Sequence, residues 1–231
     1  MMSIWSDVWE LFFPRYCVLC GNRLLKEEEC LCVKCMMGLP RTRMFQEARK
    51  ELEMEFWGKM PIERANACFY YSKGNDVRRL LYELKYYGNV TLGVFLGKCM
   101  AMELQPLGFF DGIDCIVPVP LHEKKKRKRG YNQSEKLAEG LSIVTGIPVL
   151  DQLVVRNQYT ETQTRKGRYE RWMNVKDVFE CVSGNELKDK HILLVDDVMT
   201  TGATVVACAD AFSGIPCLRI SVLTLALASD V

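Results

Sequence analysis

Beyond residue 65 the apolar positions follow two rhythms that alternate along the chain. Short continuous apolar runs read as buried strands: Ala67 to Tyr71, Ile113 to Val119, a start at Pro148 to Leu150, His191 to Val195 and Leu218 to Ala226. Between them, apolar residues recur every three or four positions. These stretches read as helices over Asp76 to Tyr87, Val90 to Leu104, Ser134 to Thr145 and Ala203 to Phe212, the first with Val77, Leu80, Leu81 and Leu84 at core spacing. Buried strands alternating with amphipathic helices predict an α/β fold, a parallel sheet covered by helices on both faces.

The earlier residues follow neither rhythm. Ile4, Val8, Leu11 and Phe12 fall on one side of a short helix, and Asp7 and Glu10 with no early Lys or Arg argue against a secretory signal. Residues 41 to 64 are charged and Met-rich and read as a helical linker. The chain thus divides into a cysteine-bearing module over 1–40, a linker over 41–64 and the α/β unit over 65–231. No apolar run has the length of a membrane span, so a cytoplasmic protein without membrane insertion is expected. Gly93 to Cys99 has the look of a phosphate-binding loop. It is one residue short, however, ends in Cys where Ser or Thr would hold magnesium, and lies inside a helical pattern.

Charge adds little globally. With 26% charged residues and a formal net charge of +2 there is no overall nucleic-acid signal, so any basic surface is local. Cysteine adds more: there are 11, and Cys17, Cys20, Cys30, Cys32 and Cys35 sit in one short segment. The remainder are scattered through apolar stretches and read as buried thiols.

The most informative stretch runs from Ile192 to Thr204. An apolar strand leads into Asp196 and Asp197, then into Thr200, Thr201, Gly202, Ala203 and Thr204 at a helix start. Ligands bind α/β sheets where strands end and helices begin. The unpaired N–H groups of a helix start favour an anion, and Gly202 lets a phosphate approach the backbone. The paired carboxylates would repel that phosphate but suit two vicinal hydroxyls. A phosphate beside a diol describes a ribose 5-phosphate. A plain capped helix would account for one Asp and one Thr.

Two further segments follow strand patterns. Pro118 to Leu121 leads into a cationic loop with six consecutive basic residues, Lys124 to Arg129, then Gly130, Tyr131, Asn132 and Gln133. It reads as a solvated charge run, a nucleic-acid patch or a pyrophosphate loop; the last is assigned to Arg129 and Gly130, and the lysines stay open. The stretch from Arg156 to Val175 is polar and rich in Arg and Thr, and reads either as a surface loop or as a cover over a ligand.

The Ile192 to Thr204 stretch resembles the 5-phosphoribosyl-1-pyrophosphate (PRPP) loop of type I phosphoribosyltransferases. With Pro118-Val119-Pro120-Leu121, the run 129–133, and Leu84-Lys85-Tyr86 with Gly88, the whole chain resembles the ComF family, which is associated with DNA uptake in competence and includes GntX-type proteins. That resemblance implies a phosphoribosyltransferase-like sheet with an N-terminal zinc ribbon. It implies that Asp196 and Asp197 are catalytic and hold the ribose hydroxyls, and that Thr200, Thr201, Gly202, Ala203 and Thr204 cradle the 5-phosphate. Lys85, Arg129 and Gly130 would complete the PRPP site, and Arg156, Thr160, Gln163, Arg171 and Asn174 would form the covering loop. Where the family places a leucine after Gln163, this chain has residues 164–167, including Lys166, so its cover is more basic.

Cys17, Cys20, Cys32 and Cys35 form C-x2-C-x11-C-x2-C, which can present four thiolates to zinc, with Gly21 after the first pair as a tight knuckle wants. Cys30 could replace Cys32 at the cost of the spacing, and an iron–sulfur cluster is a second occupant. A closed four-thiolate site is structural.

Two functions compete. One is phosphoribosyl transfer, with magnesium on the PRPP pyrophosphate and an acceptor base that no residue identifies. The other is a non-catalytic, PRPP-responsive adaptor in which the basic run and the cysteine module meet single-stranded DNA or a competence helicase-like partner, with Tyr131 the one aromatic near the run. Of the two histidines, His191 opens a buried strand and reads as structural.

Overall fold

A computed structural model describes residues 13–42, 60–157 and 178–228, together with positions 52, 56 and 58. The helix expected before residue 13, most of the linker, and Thr160, Gln163, Arg171 and Asn174 lie outside the described residues.

In chain order the described elements are α1 (Val33–Gly38), β1 (Arg64–Tyr71), α2 (Asp76–Tyr86), α3 (Val90–Leu104), β2 (Cys115–Pro118), α4 (Glu123–Arg129), α5 (Gln133–Thr145), β3 (Val154–Arg156), β4 (Phe179–Cys181), β5 (His191–Met199), α6 (Ala203–Asp210) and β6 (Arg219–Ala228). The main sheet has the order β1-β6-β5-β2, with every neighbouring pair parallel. On one face, Leu193, Val195, Leu223 and Ile116 pack against Leu80, Leu84, Leu96 and Leu137 of α2, α3 and α5. On the other, Ile192, Leu194, Val222 and Val117 pack against Val205, Val206 and Cys208 of α6, and against Leu52 and Phe56. The expected parallel sheet flanked by helices is thus the fold.

Four local differences have physical causes. Strand β5 continues past Val195 to Met199, because β6 runs alongside and pairs Asp196 with Thr224 and Met199 with Leu227. Ladder partners override the low strand preference of two Asp residues. The strand expected at Pro148 to Leu150 shrinks to one bridge between Val149 and Ile116, since Pro148 has no N–H to donate. The cationic segment after Leu121 is the helix α4, not a loop. His122 caps it, its Nδ1 accepting from Lys124 N at 3.1 Å, Arg127 pairs with Glu123 at 2.8 Å, and Gly130 closes it at φ 87°. Its basic residues fall toward the C-terminal end, where the helix dipole favours cations. Strands β3 and β4 form a separate antiparallel pair that the pattern did not announce, with only three residues each.

Gly93 to Cys99 lies within α3, as the helical pattern requires. Its glycines serve packing. A Cβ on Gly97 would sit 2.2 Å from the carbonyl oxygen of Leu137, and one on Gly140 2.1 Å from that of Val94. The backbones of α3 and α5 therefore touch at this crossing. Gly97→Ala is expected to destabilise the fold by about 1–3 kcal/mol, because backbone cannot yield as a side chain can. Chemical denaturation checks this; an unchanged midpoint would mean that the two helices have slack.

The residues before β1 join the same body. Thr42 N donates to Cys68 O (3.0 Å), Tyr70 N donates to Pro40 O (2.8 Å), and Arg41 bridges Phe69 in antiparallel fashion, which covers the outer edge of β1. Leu19, Leu24, Leu31 and Leu39 share a core with α3, and Arg41 pairs with Glu103 at 3.0 Å and Lys98 with Glu29 at 3.1 Å.

At the opposite end of β5, His191 is 1% exposed. Its Nδ1 donates to Gly112 O at 3.1 Å, which leaves Nε2 to accept from Ser221 Oγ at 2.8 Å. Burial, with Arg219 and Arg64 nearby, lowers its pKa below the ordinary histidine value. A histidine held neutral in the folded state adds stability above its unfolded pKa of about 6.5 and loses it as pH falls. Between pH 7.5 and 5 the wild type should therefore lose more stability than His191→Gln. Parallel pH profiles for the two proteins would contradict this.

Candidate functional site

The carboxyl edge of the sheet is where β5 hands the chain to α6. Asp196 and Asp197 are the sixth and seventh residues of that strand, and Thr200 to Gly202 make the turn. Gly202 is the N-cap of α6 at φ 70°, and no side chain caps the helix. A simple capped helix would have spent a Thr or Asp hydrogen bond there. Instead the first amides of α6 are left without a side-chain cap, which is the arrangement an anion exploits. Thr201 and Gly202 are buried, Thr200, Ala203 and Thr204 half-buried, and the Gly202 side of the turn rests near Phe56.

The two carboxylates have different surroundings. Asp197 is 7% exposed and pairs with Lys85 of α2, Oδ2 to Nζ at 3.0 Å. Burial alone would depress that ammonium, but the charge and hydrogen bond of Asp197, with Asp196 behind, outweigh it and raise the Lys85 pKa. Asp196 is half-buried; its Oδ1 accepts from Ser134 Oγ at 3.0 Å and from Asp197 N at 2.8 Å. Burial first, and the neighbouring Asp197 second, push its pKa up to about 7. Near neutral pH Asp196 therefore stands close to holding a proton, and a hydroxyl donor or a cation would relieve it.

Lys85 touches this pair, and three further basic side chains act on the same region. Lys125 of α4 has its pKa lowered by burial and then by Arg156, Arg129 and Lys85, so it feels the other three cations. Arg156 of β3 is lowered by burial while Asp196 pulls it back, so it lies within the field of that carboxylate. Arg129 is fixed by a chain of contacts. Its Nη1 donates to Gln133 Oε1 at 2.5 Å, and Gln133 Nε2 donates to Leu84 O at 3.1 Å. The Tyr131 hydroxyl donates to the same Leu84 carbonyl, and Asn132 ties the start of α5 to Val119 O at 3.0 Å. The residues from 129 to 133 thus lock the last turn of α2 beside Lys85.

The structure therefore brings together Asp196, Asp197, the 200–204 turn, Lys85, Arg129 and Arg156 from the sequence-expected set. Gly130 contributes as the left-handed end of α4. Sequence reasoning left Lys125 open and missed Ser134. The Asn132-Gln133-Ser134 helix start was the signal available, since a capping Asn there fixes where Ser134 points. Tyr131 is 6% exposed and structural, not available for stacking.

A second cluster lies in residues 17–35. The sulfurs of Cys17, Cys20, Cys32 and Cys35 are all within 4.8 Å of one another, and those of Cys20 and Cys32 are 3.7 Å apart. A tetrahedral ion with metal–sulfur bonds of about 2.3 Å needs sulfurs about 3.8 Å apart, so the donor set fits a metal such as zinc. Gly21, at φ 71°, allows the tight knuckle, with Gly21 N donating to Cys17 O at 2.9 Å. The carboxylate of Glu28 accepts from Leu25 N (2.7 Å) and Val33 N (2.8 Å), joining the loop to the start of α1. As thiolates the four do not suit one another without a cation. Burial works to raise Cys17, but backbone amides bring it to about 7; burial and the other three thiols push Cys35 upward. A cation is what would let all four ionise together. Cys30 is outside the cluster: it is buried in the core and raised to about 11, chiefly by burial.

No family model matches this chain. Over 92 residues, 39% of the chain, it is 41% identical to competence protein F of Haemophilus influenzae, and the match spans 40% of that protein's length. With the DNA utilization protein YhgH of Escherichia coli it shares 28% identity over 192 residues, 82% of this chain and 80% of the relative. Among solved structures, a purine phosphoribosyltransferase from Pyrococcus horikoshii superimposes with a TM-score of 0.37 at 23% identity, covering 64% of this chain and 81% of that one. By sequence, then, the chain is a homologue of competence protein F and of the YhgH proteins.

Proposed function

We propose that the chain binds PRPP at the β5–α6 turn and transfers its phosphoribosyl group to an acceptor with release of pyrophosphate, in the service of DNA utilisation. The observation that carries this reading is the meeting of two carboxylates, an uncapped glycine turn and four cations at one sheet edge. No simpler ligand than a phosphorylated sugar bearing a second anionic group uses all three. Asp196 and Asp197 accept hydrogen bonds from the ribose hydroxyls, the 200–204 backbone holds the 5-phosphate, and Lys85, Lys125, Arg129 and Arg156 face the pyrophosphate. As the bond from C1 to the pyrophosphate oxygen breaks, negative charge grows on the leaving group, and preorganised cations stabilise it without having to reorient. Magnesium bound with PRPP would add to that neutralisation, and the hard oxygen donors of the Asp pair suit such an ion. The cysteine cluster holds zinc in a structural role.

The names of the relatives, competence and DNA utilization, support a DNA-related setting. They favour keeping the second reading, in which the same PRPP seat regulates an adaptor without turnover. Incubating the protein with PRPP, magnesium and a panel of nitrogenous bases, and assaying pyrophosphate, separates the two. Release that depends on one base establishes transfer; none with any base, despite measurable PRPP binding, establishes the adaptor.

A further inference from the structure

Helix α2 carries an arrangement that the core does not use and that meets the PRPP seat only through Arg129. Arg78, Tyr82 and Tyr86 recur every four residues, so they rise along one face. The Arg78 guanidinium lies 5.6 Å from the Tyr82 ring centroid, the Tyr82 and Tyr86 rings are 5.1 Å apart, and Arg129 of α4 lies 5.9 Å from the Tyr86 ring. The result is a continuous ladder of guanidinium, ring, ring and guanidinium. It is open to solvent: Tyr82 is 47% exposed, Tyr86 67% and the adjoining Tyr87 73%. Large exposed rings cost solvation, and a monomer needing only to fold would not hold three of them on one helix end. Beside the ladder stands α4, with six basic residues against one Glu, and the exposed Lys124 and Lys128 extend its positive surface.

We propose that this ladder is a stacking platform for unpaired nucleobases, and that a single-stranded nucleic acid crosses α2 with its phosphates toward α4. Rings flanked by guanidinium groups match a strand in which flat bases alternate with phosphates; the bases lie against the exposed tyrosine rings and the phosphates pair with Arg78 and the exposed lysines. An acidic peptide would use the cations but leave the rings exposed. A duplex would use the cations too, but its bases are stacked internally and cannot reach the rings. The inference does not rest on PRPP binding, and it places the nucleic-acid contact on Tyr82 and Tyr86, not on Tyr131.

The test is fluorescence anisotropy with a labelled oligothymidylate, without PRPP or magnesium, at fixed salt. Stacking contributes about 1–3 kcal/mol per base, so Tyr82→Ala with Tyr86→Ala is expected to weaken binding at least roughly 20-fold. Tyr82→Trp with Tyr86→Trp should restore it, which a merely structural role would not do. Binding of an abasic oligomer of equal length and charge should be weak, and unchanged by the alanine pair. Both rings are exposed, so the variants retain the fold, which circular dichroism confirms. Equal affinity of wild type and the alanine pair for the oligothymidylate would overturn the platform, as would equal wild-type affinity for the abasic and base-bearing strands.

Discussion

Removing the zinc proposed for the cysteine cluster is expected to lower the melting temperature of the whole chain by at least about 10 °C. Structural four-thiolate zinc sites contribute on the order of 10 kcal/mol to small domains, and about 1 kcal/mol moves the midpoint of a chain this size by roughly 2–4 °C. The effect spreads because the cluster is not separately packed. Cys17, Leu19, Leu24 and Leu31 share one core with Leu96 and Met100 of α3, and the residues just beyond cover the edge of β1. Losing the knuckles exposes that edge and the α3 side chains packed beneath them together. Cys17→Ser with Cys35→Ser should reproduce the loss without a chelator, while Cys30→Ser should retain one metal ion per chain by elemental analysis. A metal-free protein melting at the wild-type temperature would contradict the structural role.

Replacing both carboxylates, Asp196→Asn with Asp197→Asn, is expected to weaken PRPP binding at least roughly 150-fold, about 3 kcal/mol. Hydrogen bonds to charged groups contribute about 1.5–3 kcal/mol each, and two ionised acceptors are lost together. Asp197→Asn also leaves Lys85 without its ion-pair partner, which costs stability on its own account. Asp196→Asn alone avoids that, keeps the Asp197 to Lys85 pair, and should still weaken binding roughly 10-fold or more. Calorimetry checks both variants. Wild-type affinity in the single variant would remove Asp196 from the site.

Much of this was legible in the residues. The β5–α6 turn could be read because its chemistry is contiguous: strand, two acids, small turn residues and helix follow one another without a gap. The cysteine cluster could be read because two C-x2-C pairs leave few geometric choices. What escaped was set by distant partners. Nothing near Lys85 shows that its ammonium reaches Asp197, more than a hundred residues on. The basic run looked like a loop because Lys and Arg carry no apolar rhythm; His122 and Gly130 cap it and the Glu123–Arg127 pair supports it as a helix. Tyr131 looked available because exposure cannot be read from identity; its hydroxyl is bound to Leu84 O in the interior. Conversely, the spacing of Arg78, Tyr82 and Tyr86 was visible, but their stacking needed Arg129 from another helix to be recognised.

PRPP binding requires a seat for a sugar phosphate at the turn between β5 and α6. Titrating PRPP with magnesium into the metal-loaded protein in a calorimeter tests it most directly. One site per chain is predicted, with ribose 5-phosphate competing for it because it carries both the diol and the 5-phosphate. Absence of heat up to millimolar PRPP, or binding that pyrophosphate displaces and ribose 5-phosphate does not, would contradict it.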